Sequence, residues 1–267
     1  MHAQLRSVLL SCSFVGAAML GAGCETNPVT GRSQVMIVSE EQAQSASAQA
    51  YAKTVSQARA QRKLDTNSAR SARVQQITSR LVAQAVKIIP ESSDWKWQVH
   101  VLEDPNVNAW CMPGGKMAVY TGLIEKINPS DSELAQVMAH EISHALLQHG
   151  RERMSRAVAT NAALALGSIA TGVNLTGLEN VAMVALELPN SRTGEAEADR
   201  LGIEIAARAG YDPNAAISLW QKMAKLSGGA GGPEWLSTHP SDQTRIANLQ
   251  QLVPKVMPLY QAARRPG

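Results

Sequence analysis

The sequence predicts a mainly helical α+β fold in which long helices pack with one small β-sheet. Three observations predict it. Two capping-box patterns, Ser39-Glu40-Glu41-Gln42 and Ser130-Asp131-Ser132-Glu133, each open a long helical stretch. Between them, Trp95, Trp97, Val99 and Val101 alternate with Lys96, Gln98 and His100, the pattern of a half-buried strand. Hydrophobic residues make up 45% of the 267 and charged residues 18%, enough apolar material for a core.

The elements follow in order. Residues 1–23 read as a signal peptide: Arg6, then an uncharged, mostly apolar run from Val8 to Leu20, short for a membrane span, then Gly21-Ala22-Gly23. Cys24 follows small residues as in a lipobox, which makes it a lipidation candidate; the alternative is ordinary cleavage and a soluble periplasmic protein. With Cys12 and Cys24 so assigned, Cys111 is alone and no internal disulfide forms. Residues 24–38 read as a tether and 39–267 as one domain. A helix runs from Ser39 to about Gln61, a second from Ser68 to Ile88 before Pro90. Strands are expected at 95–101, 107–111 and 116–120, with Pro113-Gly114-Gly115 as a turn. A third helix runs from Ser130 through about Arg153. The uncharged segment 157–178 reads as an apolar flap or membrane-facing loop. A helix over Ser191–Ala209 stops at Gly210, residues 227–233 form a loop, and a last helix covers about 241–252.

Composition excludes some functions. A net charge of +3 without a Lys/Arg cluster, and only 4% aromatics, argue against a nucleic-acid partner.

The chemistry sits in His140-Glu141-Ile142-Ser143-His144. Residues i and i+4 share one helix face, so both imidazoles reach one tetrahedral zinc while Glu141 stands beside them as a general base. Without a bound partner, this polar cluster is costly inside an apolar helix. A catalytic zinc takes three protein ligands. His149 lies about half a turn from His140 on a continuous helix and reads as polar surface, so the third ligand comes from elsewhere.

Four motifs in order carry a resemblance: Gly114-Gly115 with Tyr120-Thr121-Gly122-Leu123; His140 to His144; Ser191-Arg192-x-x-Glu195-x-x-x-Asp199; and Thr238-His239-Pro240 with Arg245. The opening Cys24 with Asn27-Pro28-Val29-Thr30-Gly31-Arg32 adds to it. Together they resemble the HtpX and CAAX-prenyl-protease type of gluzincin zinc metallopeptidases, in its periplasmic lipoprotein branch. The resemblance implies Glu195 as third ligand to one zinc per chain and Asp199 as partner of a ligand histidine. It also implies an endopeptidase for misfolded or mislocalised envelope proteins, held by a lipid anchor in a bacterial outer membrane and facing the periplasm. A chaperone-like peptide-binding lipoprotein is the alternative, and the oligomeric state is open.

Helix geometry separates the acids: with Glu195 at zero, Asp199 lies about 40° away and Glu197 about 200° away, so Glu197 reads as solvated surface. His239 is a candidate oxyanion donor, or else a structural histidine before a helix. The strand from Gly115 through Lys116, Met117, Ala118 and Val119 is a candidate to pair with an extended polypeptide substrate, or else an interior strand without a free edge.

Overall fold

The computed structural model describes residues 23–166, 177–226, 234–239 and 243–265. Expectations for the signal peptide, for residues 167–176 of the uncharged segment, for the 227–233 loop and for Pro240 lie outside them; residues 157–166 of that segment are helical.

The described chain begins with a hairpin, β1 (Cys24–Thr26) paired antiparallel with β2 (Ser33–Val35). Asn27 builds its turn: the side-chain oxygen accepts from the N–H groups of Val29 and Thr30, and Gly31 takes the positive φ of 72° that closes it. Residues 24–38, expected as a tether, are thus ordered and docked. The Asn27 and Gln34 amides both donate to the Leu147 carbonyl at 3.0 Å.

Helix α1 (Glu40–Ala60) carries the expected capping box from Ser39 and Gln42. Helix α2 (Ser68–Ile88) is capped by Asn67 and stops before a 3-10 turn at Pro90–Asp94. That turn takes up Trp95, so β3 (Gln98–Leu102) is shorter than the alternation suggested. Strands β4 (Ala109–Met112) and β5 (Lys116–Tyr120) complete a sheet of order β3-β5-β4, with β5 parallel to β3 and antiparallel to β4. Strand β5 is therefore central, both its edges are used, and the expectation that Gly115–Val119 pairs with a substrate is corrected. The outer edge of β3 is partly covered by the Leu64–Leu102 bridge. The outer edge of β4 has no ladder partner among the described strands, and all four of its residues are buried.

After the short α3 (Thr121–Ile127), the Ser130–Glu133 capping box launches α4 (Asp131–Leu146). The chain does not continue as one helix to Arg153. It breaks at Gln148, whose φ is 60°, and restarts as α5 (His149–Leu166). The break frees the Leu147 carbonyl, which the hairpin amides then satisfy. Helix α6 is Leu178–Glu187, and α7 is Arg192–Arg208, capped by Ser191 and stopped by Gly210 in the left-handed region. Helices α8 (Ala215–Leu226) and α9 (Glu234–Thr238) were not expected. Helix α10 (Gln243–Ala263) runs past the expected end, through Pro254 and Pro258, with Val253 and Val256 buried.

The mainly α fold with a small sheet is as expected. The core lies between α2, α4, α7, α8, α10 and the sheet, and α4 is buried on nearly every side. No helix among the described residues is long and apolar enough to cross a membrane.

Candidate metal centre

Helix α4 presents His140, Glu141 and His144, all at most 4% exposed. Helix α7 lies across it in close contact: a Cβ on Gly202 would sit 3.0 Å from the His140 Cα and backbone nitrogen. A side chain there would press on that backbone, so glycine favours the approach, which brings Glu195, one turn into α7, against the two imidazoles. The Nε2 atoms of His140 and His144 stand 3.0 Å apart. Glu195 Oε1 is 3.2 Å from His144 Nε2, and Oε2 is 3.5 Å from His140 Nε2. His239, just past α9, completes the group: one ligand atom from each of His140, His144, Glu195 and His239 lies within 4.8 Å of the others.

The other ring nitrogens fix the tautomers. His140 Nδ1 is 2.9 Å from Asp199 Oδ1, so it donates there. His144 Nδ1 is 2.8 Å from His149 Nδ1. His239 Nδ1 faces the Trp235 carbonyl at 3.0 Å and donates to it. Three Nε2 atoms and the Glu195 carboxylate thus converge, and Glu195 Oε1 is buried without a hydrogen-bond partner. The arrangement calls for a cation. Its titration says the same: against burial, Asp199 and Glu195 push His140 up to about 9, so a proton stands where positive charge is wanted. Burial holds His144 well below the usual imidazole value, and Glu195 sits far below the carboxylate range despite burial, through its contacts with the two histidines. Two or three imidazoles with one carboxylate form a zinc donor set.

Arg245 of α10 backs the cluster, donating to Glu195 Oε2 at 2.6 Å and Asp199 Oδ1 at 2.7 Å, its guanidinium 3.8 Å from the Trp220 ring centroid. Glu141 is different. Its Oε1 accepts from Trp235 Nε1 at 2.7 Å, and burial pushes its carboxyl up to about 7.

Burial also pushes His239 down to about 3. Its Nε2 lies 3.3 Å from Glu141 Oε1, so the expected oxyanion donor stands between the metal-binding group and Glu141. Two expectations are corrected. His149 is 4% exposed and bonded to His144, because the break at Gln148 redirects it. The Glu197 side chain, 13% exposed, is 3.0 Å from His149 Nε2 and accepts from Arg32, so it is not solvated surface. Burial works against its ionisation, and the His149 and Arg32 bonds overcome that. Sequence reasoning also missed Trp235. Arg245 stood in a quoted motif without a role. Cys111 is buried, which raises its thiol well above the usual range and removes it as a nucleophile.

The cleft on the Glu141 side runs between β4, α6 and α9, past Trp110, Met183 and His239. A larger cavity of about 540 Å³ opens behind Glu195 and Asp199, between α7 and α10, and touches neither Glu141 nor His144.

Comparison with known proteins bears on the site. The family described as Peptidase family M48 matches residues 68–253. Metalloendopeptidase OMA1, mitochondrial, of Bos taurus is 32% identical over 256 residues, covering 91% of this chain and 48% of that protein. Mitochondrial metalloendopeptidase OMA1 of Arabidopsis thaliana is 40% identical over 157 residues, 58% of this chain and 31% of the relative. The beta-barrel assembly-enhancing protease of Escherichia coli is 28% identical over 199 residues, 68% and 40%. The chain spans about half the length of the relatives it matches most fully. The expected placement as a bacterial outer-membrane lipoprotein facing the periplasm, or as a soluble periplasmic protein, is overturned: the relatives that match over about nine-tenths of the chain are named as mitochondrial. With the match from Ser68 to Val253 enclosing every residue of the cluster, the chain belongs to Peptidase family M48.

Proposed function

We propose that the chain is a zinc-dependent endopeptidase of unfolded or extended polypeptides, with His140, His144 and Glu195 holding the metal and Glu141 acting as general base. One observation carries the reading: two imidazole nitrogens 3.0 Å apart and a buried carboxylate oxygen without a partner converge beside a second carboxylate whose proton affinity is raised. When bound, zinc supplies Lewis-acid polarisation of a carbonyl and acidifies water. The chain does the rest. Glu141, held by Trp235, takes the proton of the attacking water and passes it to the leaving amine. Asp199 and Arg245 fix His140 and Glu195 from behind. An extended substrate pairs with the β4 edge, which borders the cleft, and Arg153 Nη1, buried without a partner, lines the same cleft.

The four motifs favour a place near the HtpX and CAAX-prenyl-protease type. The names of the bacterial relatives, beta-barrel assembly-enhancing protease, favour β-barrel polypeptides in assembly as clients. Exposure of Cys24 suits acylation, tested by the intact mass of Cys24→Ser against the parent.

The central test is digestion of unfolded casein by purified protein, with and without a chelator and with Glu141→Gln. Cleavage that stops with chelator and in the variant supports the reading. Cleavage that persists in both overturns it, and binding of casein without cleavage by zinc-loaded protein favours the chaperone-like alternative.

A further inference from the structure

The N-terminal hairpin lies outside residues 68–253, yet it reaches the metal cluster through a continuous line of buried and partly buried hydrogen bonds. Arg32, the first residue after the Asn27 turn, divides its guanidinium between two carboxylates. Its Nε donates to both oxygens of Glu197 at 3.1 Å. Its two terminal nitrogens donate to Glu152 at 3.0 and 2.8 Å. Glu197 Oε2 is in turn 3.0 Å from His149 Nε2, and His149 Nδ1 is 2.8 Å from His144 Nδ1.

These contacts set the two rings in line: His149 lies between Glu197 and His144, and His144 Nε2, on the far side of its ring, is 3.0 Å from His140 Nε2 and 3.2 Å from Glu195 Oε1. Ligand histidines ordinarily donate their second N–H directly to a carboxylate or carbonyl. His140 does so with Asp199. His144 has no carboxylate at its Nδ1, only the ring of His149.

From this we infer that Arg32, Glu197 and His149 are positioning residues for the second metal ligand, and that the N-terminal hairpin is part of the metal centre. Arg32 holds Glu197 in place, Glu197 fixes the tautomer and plane of His149, and His149 orients His144 and raises its basicity as a ligand. The hairpin itself is locked to the same spot by Asn27 and Gln34 on the Leu147 carbonyl, at the helix break that turns His149 inward. This inference rests on the zinc reading of the cluster.

The test measures zinc affinity of the full chain by competition with a chromophoric chelator, and the absorption spectrum of the cobalt-substituted protein. Glu197→Gln is expected to weaken zinc by about 10–100-fold, the range for a carboxylate behind a ligand histidine. His149→Phe should do the same and alter the cobalt spectrum. Arg32→Gln should weaken zinc by roughly threefold or more, and the Arg32→Gln/Glu197→Gln double variant should stay within about twofold of Glu197→Gln alone, since both act along one line. Glu204→Gln, on the outer side of α7 and paired with Arg208, is the silent control. Thermal unfolding of the zinc-free proteins separates folding from metal binding. Should Arg32→Gln fail to fold, Arg32→Lys replaces it, because an ammonium keeps the charge but cannot span both carboxylates. Parental zinc affinity and cobalt spectrum in the Arg32 variant overturn the inference, whatever its melting temperature. So does an Arg32 effect that multiplies with that of Glu197. A parent chain that binds no zinc instead overturns the metal reading.

Discussion

Glu141 and Glu195 are both buried carboxylates at one cluster, and their surroundings drive them apart. Burial pushes Glu141 up to about 7, while contacts with His140 and His144 take Glu195 far below the usual range despite burial. Carboxylates whose proton affinities diverge in this way divide the work between proton transfer and charge. Glu141→Gln is therefore expected to keep zinc and to lose turnover by about 10²–10⁴-fold, the usual weight of a general base. Glu195→Gln should lose zinc itself. Metal analysis and casein cleavage on the two variants read the difference, and equal zinc loss in both counts against the division of roles. At this scale the sequence was legible wherever a residue's role follows from its own helix: His140, Glu141 and His144 share one face of α4, and Asp199 sits one turn from Glu195. It was not legible for Glu197. A helical wheel places Glu197 opposite Glu195, and opposite looks like solvent unless another element covers that side. The β1–β2 hairpin and the start of α5 cover it.

Helix starts were readable because capping chemistry is local. Ser39, Ser130 and Ser191 each accept from a backbone N–H of the first turn. Ser130→Ala is expected to cost about 1 kcal/mol in denaturant unfolding, the usual value for a lost cap. Helix interruptions were not readable. Nothing in Leu147-Gln148-His149 marks a break, since the compensation for its freed carbonyl comes from Asn27 and Gln34, far away in sequence. The contact of α7 with α4 is another element-scale feature. A methyl on Gly202 would press on the backbone of His140 at 3.0 Å. Gly202→Ala is expected to destabilise the protein by roughly 1–3 kcal/mol through overpacking, and to weaken zinc because α7 carries Glu195 away from α4. A Gly202→Ala protein with parental stability and parental zinc affinity would show that the two helices can part without cost.

At the scale of the whole molecule, the metal cluster is where remote parts of the chain meet. Strand order, which makes β5 central and β4 the edge, and the course of α10 through two prolines are long-range outcomes that local pattern does not determine. The donors come from α4, α7 and the residue after α9. Arg245 of α10 and Arg32 of the hairpin hold them from outside. This junction brings together a buried carboxylate oxygen without a hydrogen-bond partner and the facing nitrogens of His140 and His144. Such groups cost free energy unless a cation joins them. A metal that binds only the folded chain stabilises it by mass action, about 2.7 kcal/mol when free zinc is 100 times the dissociation constant. The chain should accordingly melt several degrees lower in excess chelator, with zinc restoring the original melting temperature and magnesium, which prefers oxygen ligands, failing to. Glu195→Gln should melt at one temperature with or without chelator, because its metal term is already lost. If chelation leaves the parent's melting temperature unchanged while metal analysis shows the zinc removed, the cluster does not couple these elements.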